Sequence, residues 1–235
     1  MIFHNIDPYV RQIASLPSIG LLSEKEPPIN RSRLTERLKD IAPEDQAEID
    51  AMISILSWSQ IDVGDDDSAF LDRAETVMAT IRSKDLRAAL LERLEIRTLV
   101  AALRRRHAGG DAPARGERWA FGRYVETIRA NWDRPDFGVA PFFPWVLPAR
   151  EKLEAGDAAG LERIVLEEAW AVSERYAFNH HFDFEALAFY VLRWRLADRW
   201  ARYDADAAAM RFEELLDEAV DEAGAIQPEM QDVAA

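Results

Sequence analysis

The chain has 235 residues, of which 49% are hydrophobic, and it carries a formal net charge of −14. A chain of this length buries roughly 70% of the surface that it exposes when unfolded, so it can form a hydrophobic core without disulfides or metal. The hydrophobic fraction excludes a disordered acidic protein. The lack of cysteine excludes disulfide frameworks, Cys-based zinc sites and cysteine nucleophiles. The negative charge argues against broad nucleic-acid binding, which needs a basic surface.

The sequence shows no signal peptide and no membrane-spanning segment. Asp7 and Pro8 stand where a signal peptide needs a continuous apolar run. The longest uncharged stretch, residues 137–149, contains Pro141, Pro144 and Pro148 and is shorter than the roughly 20 apolar residues of a membrane-spanning helix. We therefore expect a cytoplasmic protein.

Hydrophobic periodicity predicts helices along nearly the whole chain, after an irregular start that includes Pro27 and Pro28. No alternating stretch is long enough to require a strand, so the predicted fold class is all-α. The predicted helices cover, in chain order, residues 31–41, 43–56, 68–81, 85–107, 118–132, 149–155, 157–176, 183–202 and 205–222.

The segment GGDAPARGE, residues 109–117, is typical of a mobile linker. It divides the chain into two predicted helical lobes, 1–108 and 117–227, which are compatible with a loose helical-repeat duplication. Charge is distributed unevenly between them. Residues 82–106 carry eight basic and three acidic side chains, whereas residues 203–232 carry one basic and ten acidic ones.

Three arginines of the basic helix, Arg93, Arg97 and Arg104, lie on one side of a helical wheel beside its apolar stripe. Such a cationic ridge could bind an acidic partner protein. The same arginines could instead pair with nearby acidic residues or with the acidic C-terminal helix of this chain. The sequence favours neither interpretation over the other, because exposed ion pairs contribute little stability.

Phe142, Phe143 and Trp145 lie between prolines in the segment 137–148. Aromatic side chains on a rigid segment are good anchors for a partner, which makes these three residues candidate partner-binding residues. They are equally suited to filling the core between helical layers, and that interpretation is favoured.

A possible metal site is the group His180, His181, Asp183 and Glu185. Adjacent histidines point in different directions, and the spacing matches no known zinc motif. Asp183 as a helix N-cap explains the group more simply. The acidic cluster 62–72 lacks the residue order of a calcium loop, and Asp67 or Ser68 can cap the helix that follows.

No nucleophile motif or phosphate-binding loop is found in the sequence. We therefore predict no catalytic residue, no metal and no cofactor. In the helix 183–202, Asp198 lies on an apolar face and would need a cation, for which Arg195 and Arg202 are within reach. These three residues are predicted to form a structural ion pair.

Parts of the sequence resemble a poorly characterised family of bacterial proteins of unknown function. These parts are SLPSIGLLSEKEPPINRSRLTERLKD, DFGVAPFFPWVLPAREKLEAGD and FDFEALAFYVLRWRLADRWARYDADAA. The family is associated with genes of bacterial V-type (archaeal-type) ATPases. It is distantly similar to their C subunit, the helical funnel that seats the central rotor shaft on the membrane ring.

The segment LLERLEIRTLVAALRRRHAGG, residues 90–110, also resembles a C-subunit helix. In that helix an acidic residue precedes an Ile/Leu-Arg/Lys pair and a basic cluster, and a glycine ends the pattern. Here those places are taken by Glu95, Ile96, Arg97, Arg104 and Arg106.

The resemblance implies a non-catalytic accessory subunit of a V-type rotary ATPase, held near the inner membrane through a protein complex. Such a subunit would dock through its basic helix and its acidic C-terminal helix. Two alternatives stay open at this point. One is a metal-dependent or carboxylate-based helical enzyme around His180 and His181, and the other is a stand-alone helical adaptor.

Overall fold

The computed structural model describes residues 9–20, 22, 26–56 and 67–203, and these residues form nine helices and no strand. The predicted all-α class is confirmed. The helices are α1 (Val10–Ser15), α2 (Arg31–Leu38), α3 (Pro43–Leu56), α4 (Asp67–Thr80), α5 (Lys84–His107), α6 (Val125–Ala130), α7 (Val146–Glu154), α8 (Ala158–Ala177) and α9 (residues 184–203). The predicted helix 205–222 lies outside the described residues.

Local capping explains where the long helices begin. Ser83 accepts a hydrogen bond from the backbone N–H of Leu86 at the start of α5. The Asp157 side chain accepts one from Gly160 at 2.7 Å, before α8. Asp183 Oδ1 accepts one from Ala186 at 2.9 Å, before α9. Each side-chain oxygen satisfies an N–H that has no partner within its helix.

Helix α5 is the central element of the fold, because it contacts α3, α4, α6, α7 and α8. Its leucines other than Leu91 are almost completely buried, and fully buried side chains of α9, Phe189 and Trp194, belong to the same hydrophobic core. This core contains residues from both predicted lobes. The intervening segment 109–117 also contacts its surroundings, since Arg105 Nη1 lies 3.1 Å from Glu117 Oε1 and Trp132 Nε1 donates to the Gly110 carbonyl at 3.2 Å.

The prediction of one helix over residues 118–132 is wrong for its first half, because helix α6 covers only Val125–Ala130. Side chains of α5 take the place of the missing helical hydrogen bonds. Thr98 Oγ1 donates to the Phe121 carbonyl at 2.7 Å and accepts from the Phe121 N–H at 3.2 Å. Glu95 Oε1 accepts from the Arg123 N–H at 2.8 Å. Residues 117–124 therefore lie along α5 as an irregular segment.

Gly122 lets this segment approach α5 closely. Its φ angle is +131°, and a Cβ atom added there would lie 2.5 Å from Glu95 Cγ. Residues other than glycine rarely adopt such a φ, and a Cβ atom so close to Glu95 Cγ would overlap with it. The position therefore needs glycine for both reasons.

We expect Gly122→Ala to lower the free energy of unfolding by about 2–4 kcal/mol, measured by urea denaturation followed by circular dichroism. Gly116→Ala is the matched control, because Gly116 also has a positive φ, +82°, but has open space around its missing Cβ. Gly116→Ala should lower the free energy of unfolding by only about 1 kcal/mol. Equal losses in the two variants would contradict the close approach to Glu95.

Candidate functional site

His180 joins the beginnings of α5 and α9. Its Nδ1 lies 2.8 Å from Asp183 Oδ2, and its Nε2 lies 2.9 Å from Asp85 Oδ2. Each ring nitrogen therefore faces a carboxylate, an arrangement that suits a doubly protonated imidazolium donating to both.

The pKa of His180 reflects this arrangement. Partial burial works against the charged ring, but the hydrogen bonds to Asp183 and Asp85, helped by the nearby Glu185 charge, outweigh it and raise the pKa. The ring also lies 6.1 Å from that of Phe189. His181, the second histidine of the predicted group, is exposed and takes no part in these contacts.

The ligand atoms of His180, Asp183 and Glu185 all lie within 4.8 Å of one another, which is the one group of three potential metal ligands in the described part of the chain. Imidazole and carboxylate donors suit Zn²⁺ and similar ions. An ion here would have to replace the proton between Nδ1 and Asp183, and Asp85 would then orient the ring from Nε2.

A second polar cluster lies next to Phe184, at the start of α9, and sequence reasoning missed it. Asp45 and Glu48 of α3 are buried, and both bind Arg82. Arg82 donates through Nε to Glu48 Oε2 at 2.6 Å and through its backbone N–H to Glu48 Oε1 at 3.1 Å. Tyr9 donates its hydroxyl proton to Asp45.

These contacts hold α3 against the link between α4 and α5. The hydrogen bonds that Arg82 donates to Asp45 and Glu48 raise its pKa, so the guanidinium stays charged. It also lies 5.5 Å from the centre of the Phe184 ring. The signal in the sequence was the position of Asp45 and Glu48 at helical spacing with Met52, on the buried side of α3.

The predicted arginine ridge is interrupted in the structure. Arg93 is only 7% exposed, and its burial, together with the charges of Arg195 and Arg199, lowers its pKa to about 10. Arg97 lies with its guanidinium 3.5 Å from the centre of the Phe70 ring, and Arg104 is exposed. Arg93 therefore cannot belong to a surface that meets a partner, whereas Arg97 and Arg104 line one cavity.

The three predicted aromatic anchors are also separated. Phe143 and Trp145 are buried in the core, whereas Phe142 is 65% exposed. The backbone N–H groups of Phe142 and Phe143 both donate to the Val139 carbonyl at 2.9 Å, and the two rings lie 5.3 and 5.1 Å from that of Tyr124. Phe142 is thus an exposed ring on a firmly anchored turn.

Of the predicted ion-pair residues, Asp198 binds Arg202, whose Nη2 lies 2.5 Å from Asp198 Oδ2. Arg31 of α2 lies 3.6 Å from the same oxygen, a contact that no spacing in the sequence indicates. Burial and the neighbouring Arg31 lower the pKa of Arg195, and Asp198 opposes that shift. The pair therefore connects α9 to α2 as well as stabilising its own helix.

We expect His180 to make stability depend on pH. Because its folded-state pKa is raised above the usual value near 6.5, its contribution is fully present below about pH 6.5 and is lost as the pH rises through the folded-state value. The free energy of unfolding of wild type relative to His180→Gln should therefore be larger at about pH 6 than at about pH 8.5. His181→Gln, at an exposed position, should follow the wild-type curve. Parallel curves for wild type and His180→Gln would contradict the pairing of the charged His180 ring with Asp85 and Asp183.

Comparison with known proteins identifies no family for this sequence. No family model matches the sequence, and neither the curated proteins nor the solved structures contain a match. Within the described residues, no helix is both long enough and apolar enough to cross a bilayer.

Proposed function

We propose that the protein is a non-catalytic interaction subunit and that the assembly it serves is a V-type rotary ATPase. The observation that carries the interaction role is Phe142. An aromatic ring that is 65% exposed, on a turn anchored by the buried Phe143 and Trp145, can enter a partner's apolar pocket with little loss of conformational freedom. Leu147, at the start of α7, is a second exposed apolar side chain five residues further along the chain.

A basic groove between α1 and α2 supports an acidic partner. It has a volume of about 890 Å³ and is lined by Arg11, Arg33, Arg37 and Lys39. Arg11 and Lys39 are paired with Asp40 and Glu36, which also line the groove. The remaining positive charge would orient an acidic segment and speed its association more than it would tighten the complex.

We name a rotary ATPase because residues 90–110 resemble a C-subunit helix. Of the basic residues in that segment, Arg104 stays exposed, whereas Arg106 binds the backbone carbonyls of Trp132, Arg134 and Pro135. The acidic C-terminal helix, which is the other half of the expected docking mechanism, lies outside the described residues. The protein would be held near the inner membrane only through its contacts within this complex.

The test is affinity purification of the tagged, full-length protein from its native cells. We expect subunits of the rotary ATPase to be recovered, and Phe142→Ala to reduce that recovery at least tenfold, as loss of a central interface aromatic does. Phe178→Ala is the matched control, because Phe178 is 80% exposed and lies in the link between α8 and α9.

Each result decides a different part of the proposal. Recovery of no ATPase subunit would overturn the assignment to a rotary ATPase. Reproducible recovery of unrelated proteins would favour the stand-alone adaptor. Equal recovery with Phe142→Ala and wild type would overturn the docking surface. Thermal unfolding of both variants checks that neither result comes from loss of the fold.

The second candidate function, a metal-dependent helical enzyme, is favoured by the closeness of His180, Asp183 and Glu185. It requires a stoichiometric divalent ion. Because both ring nitrogens of His180 already face carboxylates, we expect elemental analysis of the purified protein to find well below one ion per chain. One ion per chain that is lost in His180→Ala and kept in His181→Ala would establish the metal site instead.

A further inference from the structure

The groove between α1 and α2 contains two arginines that have no acidic partner in the described part of the chain. Arg33 and Arg37 are exposed, lie about one helical turn apart on α2 and line the groove. The other cations of the groove, Arg11 and Lys39, are already held in ion pairs. Two accessible guanidinium groups at this spacing attract a helix that carries carboxylates four residues apart.

The same groove also offers apolar surface. Leu16, Pro17 and Ile29 line it, and each of them is half-buried, so part of each side chain stays available for contact. An amphipathic helix binds such a groove by placing its apolar face against the groove and its charged face at the edge. The occupant that matches these features is therefore an acidic amphipathic helix.

The chain itself contains such a segment after α9. Residues 213–222, EELLDEAVDE, carry six carboxylates and no basic side chain, and the carboxylates recur four residues apart, as in Glu213 and Asp217. Leu216 and Val220 have the same spacing and share a helical face. Like charges four residues apart destabilise an isolated helix, so arginines at the matching spacing would relieve this repulsion.

Helix α9 runs beside the start of α2, which brings this segment near the groove. Trp194 Nε1 donates to the carbonyl of Ile29 at 2.7 Å, and Arg31 Nη2 lies 3.6 Å from Asp198 Oδ2. Helix α2 is only about 12 Å long, whereas a connection as long as residues 204–212 spans up to about 30 Å when it is extended. The acidic segment is therefore tethered within reach of the groove.

We propose that the acidic segment 213–222 occupies the groove between α1 and α2 in the free protein. Its carboxylates pair with Arg33 and Arg37, and its apolar face packs against Leu16 and Ile29. A tethered segment has an effective concentration in the millimolar range, so a modest affinity is enough to fill the groove. This inference rests on the proposed interaction function, because an acidic partner would have to displace the segment before it could bind the same groove.

The test is disulfide cross-linking in the purified, full-length protein under a mild oxidant, followed by mass spectrometry. Because the chain has no cysteine, a double variant contains only the two introduced thiols. Ala14→Cys places one thiol at an exposed position of the groove, and Ala219→Cys places the other on the acidic segment. We expect the intramolecular disulfide to form at least about tenfold faster than in the matched control, Ala101→Cys with Ala219→Cys. Ala101 is also an exposed helical alanine, but it lies outside the groove.

Charge-reversal variants test the assigned ion pairs. Arg33→Glu combined with Arg37→Glu should slow the groove cross-link at least about fivefold, because the acidic segment is then repelled. Arg104→Glu combined with Arg115→Glu is the matched control, since both of these arginines are exposed and lie outside the groove. All four positions are exposed, and thermal unfolding followed by circular dichroism checks that each variant keeps its fold.

Three results would each overturn the proposal. The first is an equal rate of cross-linking in the groove variant and the Ala101→Cys control. The second is formation of disulfide-linked dimers in place of the intramolecular product, which would make a second copy of the chain the occupant. The third is equal slowing by the two charge-reversal variants, which would reduce the effect to overall charge. These measurements use the purified protein alone, so their outcome is independent of whether ATPase subunits are recovered from cells.

Discussion

The buried carboxylate of Glu95 is the constraint on which the middle of this protein depends. Its side chain is 2% exposed and receives hydrogen bonds from the backbone N–H, Nε and Nη2 of Arg123, all at 2.8–2.9 Å. An anion buried in the core without such donors would cost several kcal/mol, so the chain around Arg123 has to lie against α5. That requirement shortens α6, places Gly122 at a positive φ and positions Tyr124 beneath the exposed ring of Phe142.

The same principle extends along α5, whose polar side chains bind the backbone of the segment that follows it. Thr98 satisfies both backbone groups of Phe121. Arg106 donates to the carbonyls of Trp132, Arg134 and Pro135, and its guanidinium lies 4.1 Å from the centre of the Phe137 ring. Buried backbone groups need partners, and here helix side chains provide them where secondary structure does not. The long irregular region between α5 and α7 is therefore held at defined points.

The sequence predicts most of the helices because their start signals are local. Asp157 and Asp183 cap α8 and α9 as their positions in the sequence suggest. Burial of charge is not local, and that is where prediction fails. Arg93 and Arg97 share a helical face, yet Arg93 is enclosed near Arg195 and Arg199 while Arg97 lies on Phe70. Periodicity identifies a face of a helix, but it does not identify which element covers that face at each turn.

The two polar clusters at the beginning of α9 use their hydrogen-bonding capacity within the protein. A general acid or base has to reach a substrate proton with its own hydrogen-bonding capacity free. Arg82 holds both Asp45 and Glu48, and both nitrogens of His180 face aspartates. Each of these groups would have to break a contact that holds two parts of the fold together before it could reach a substrate proton.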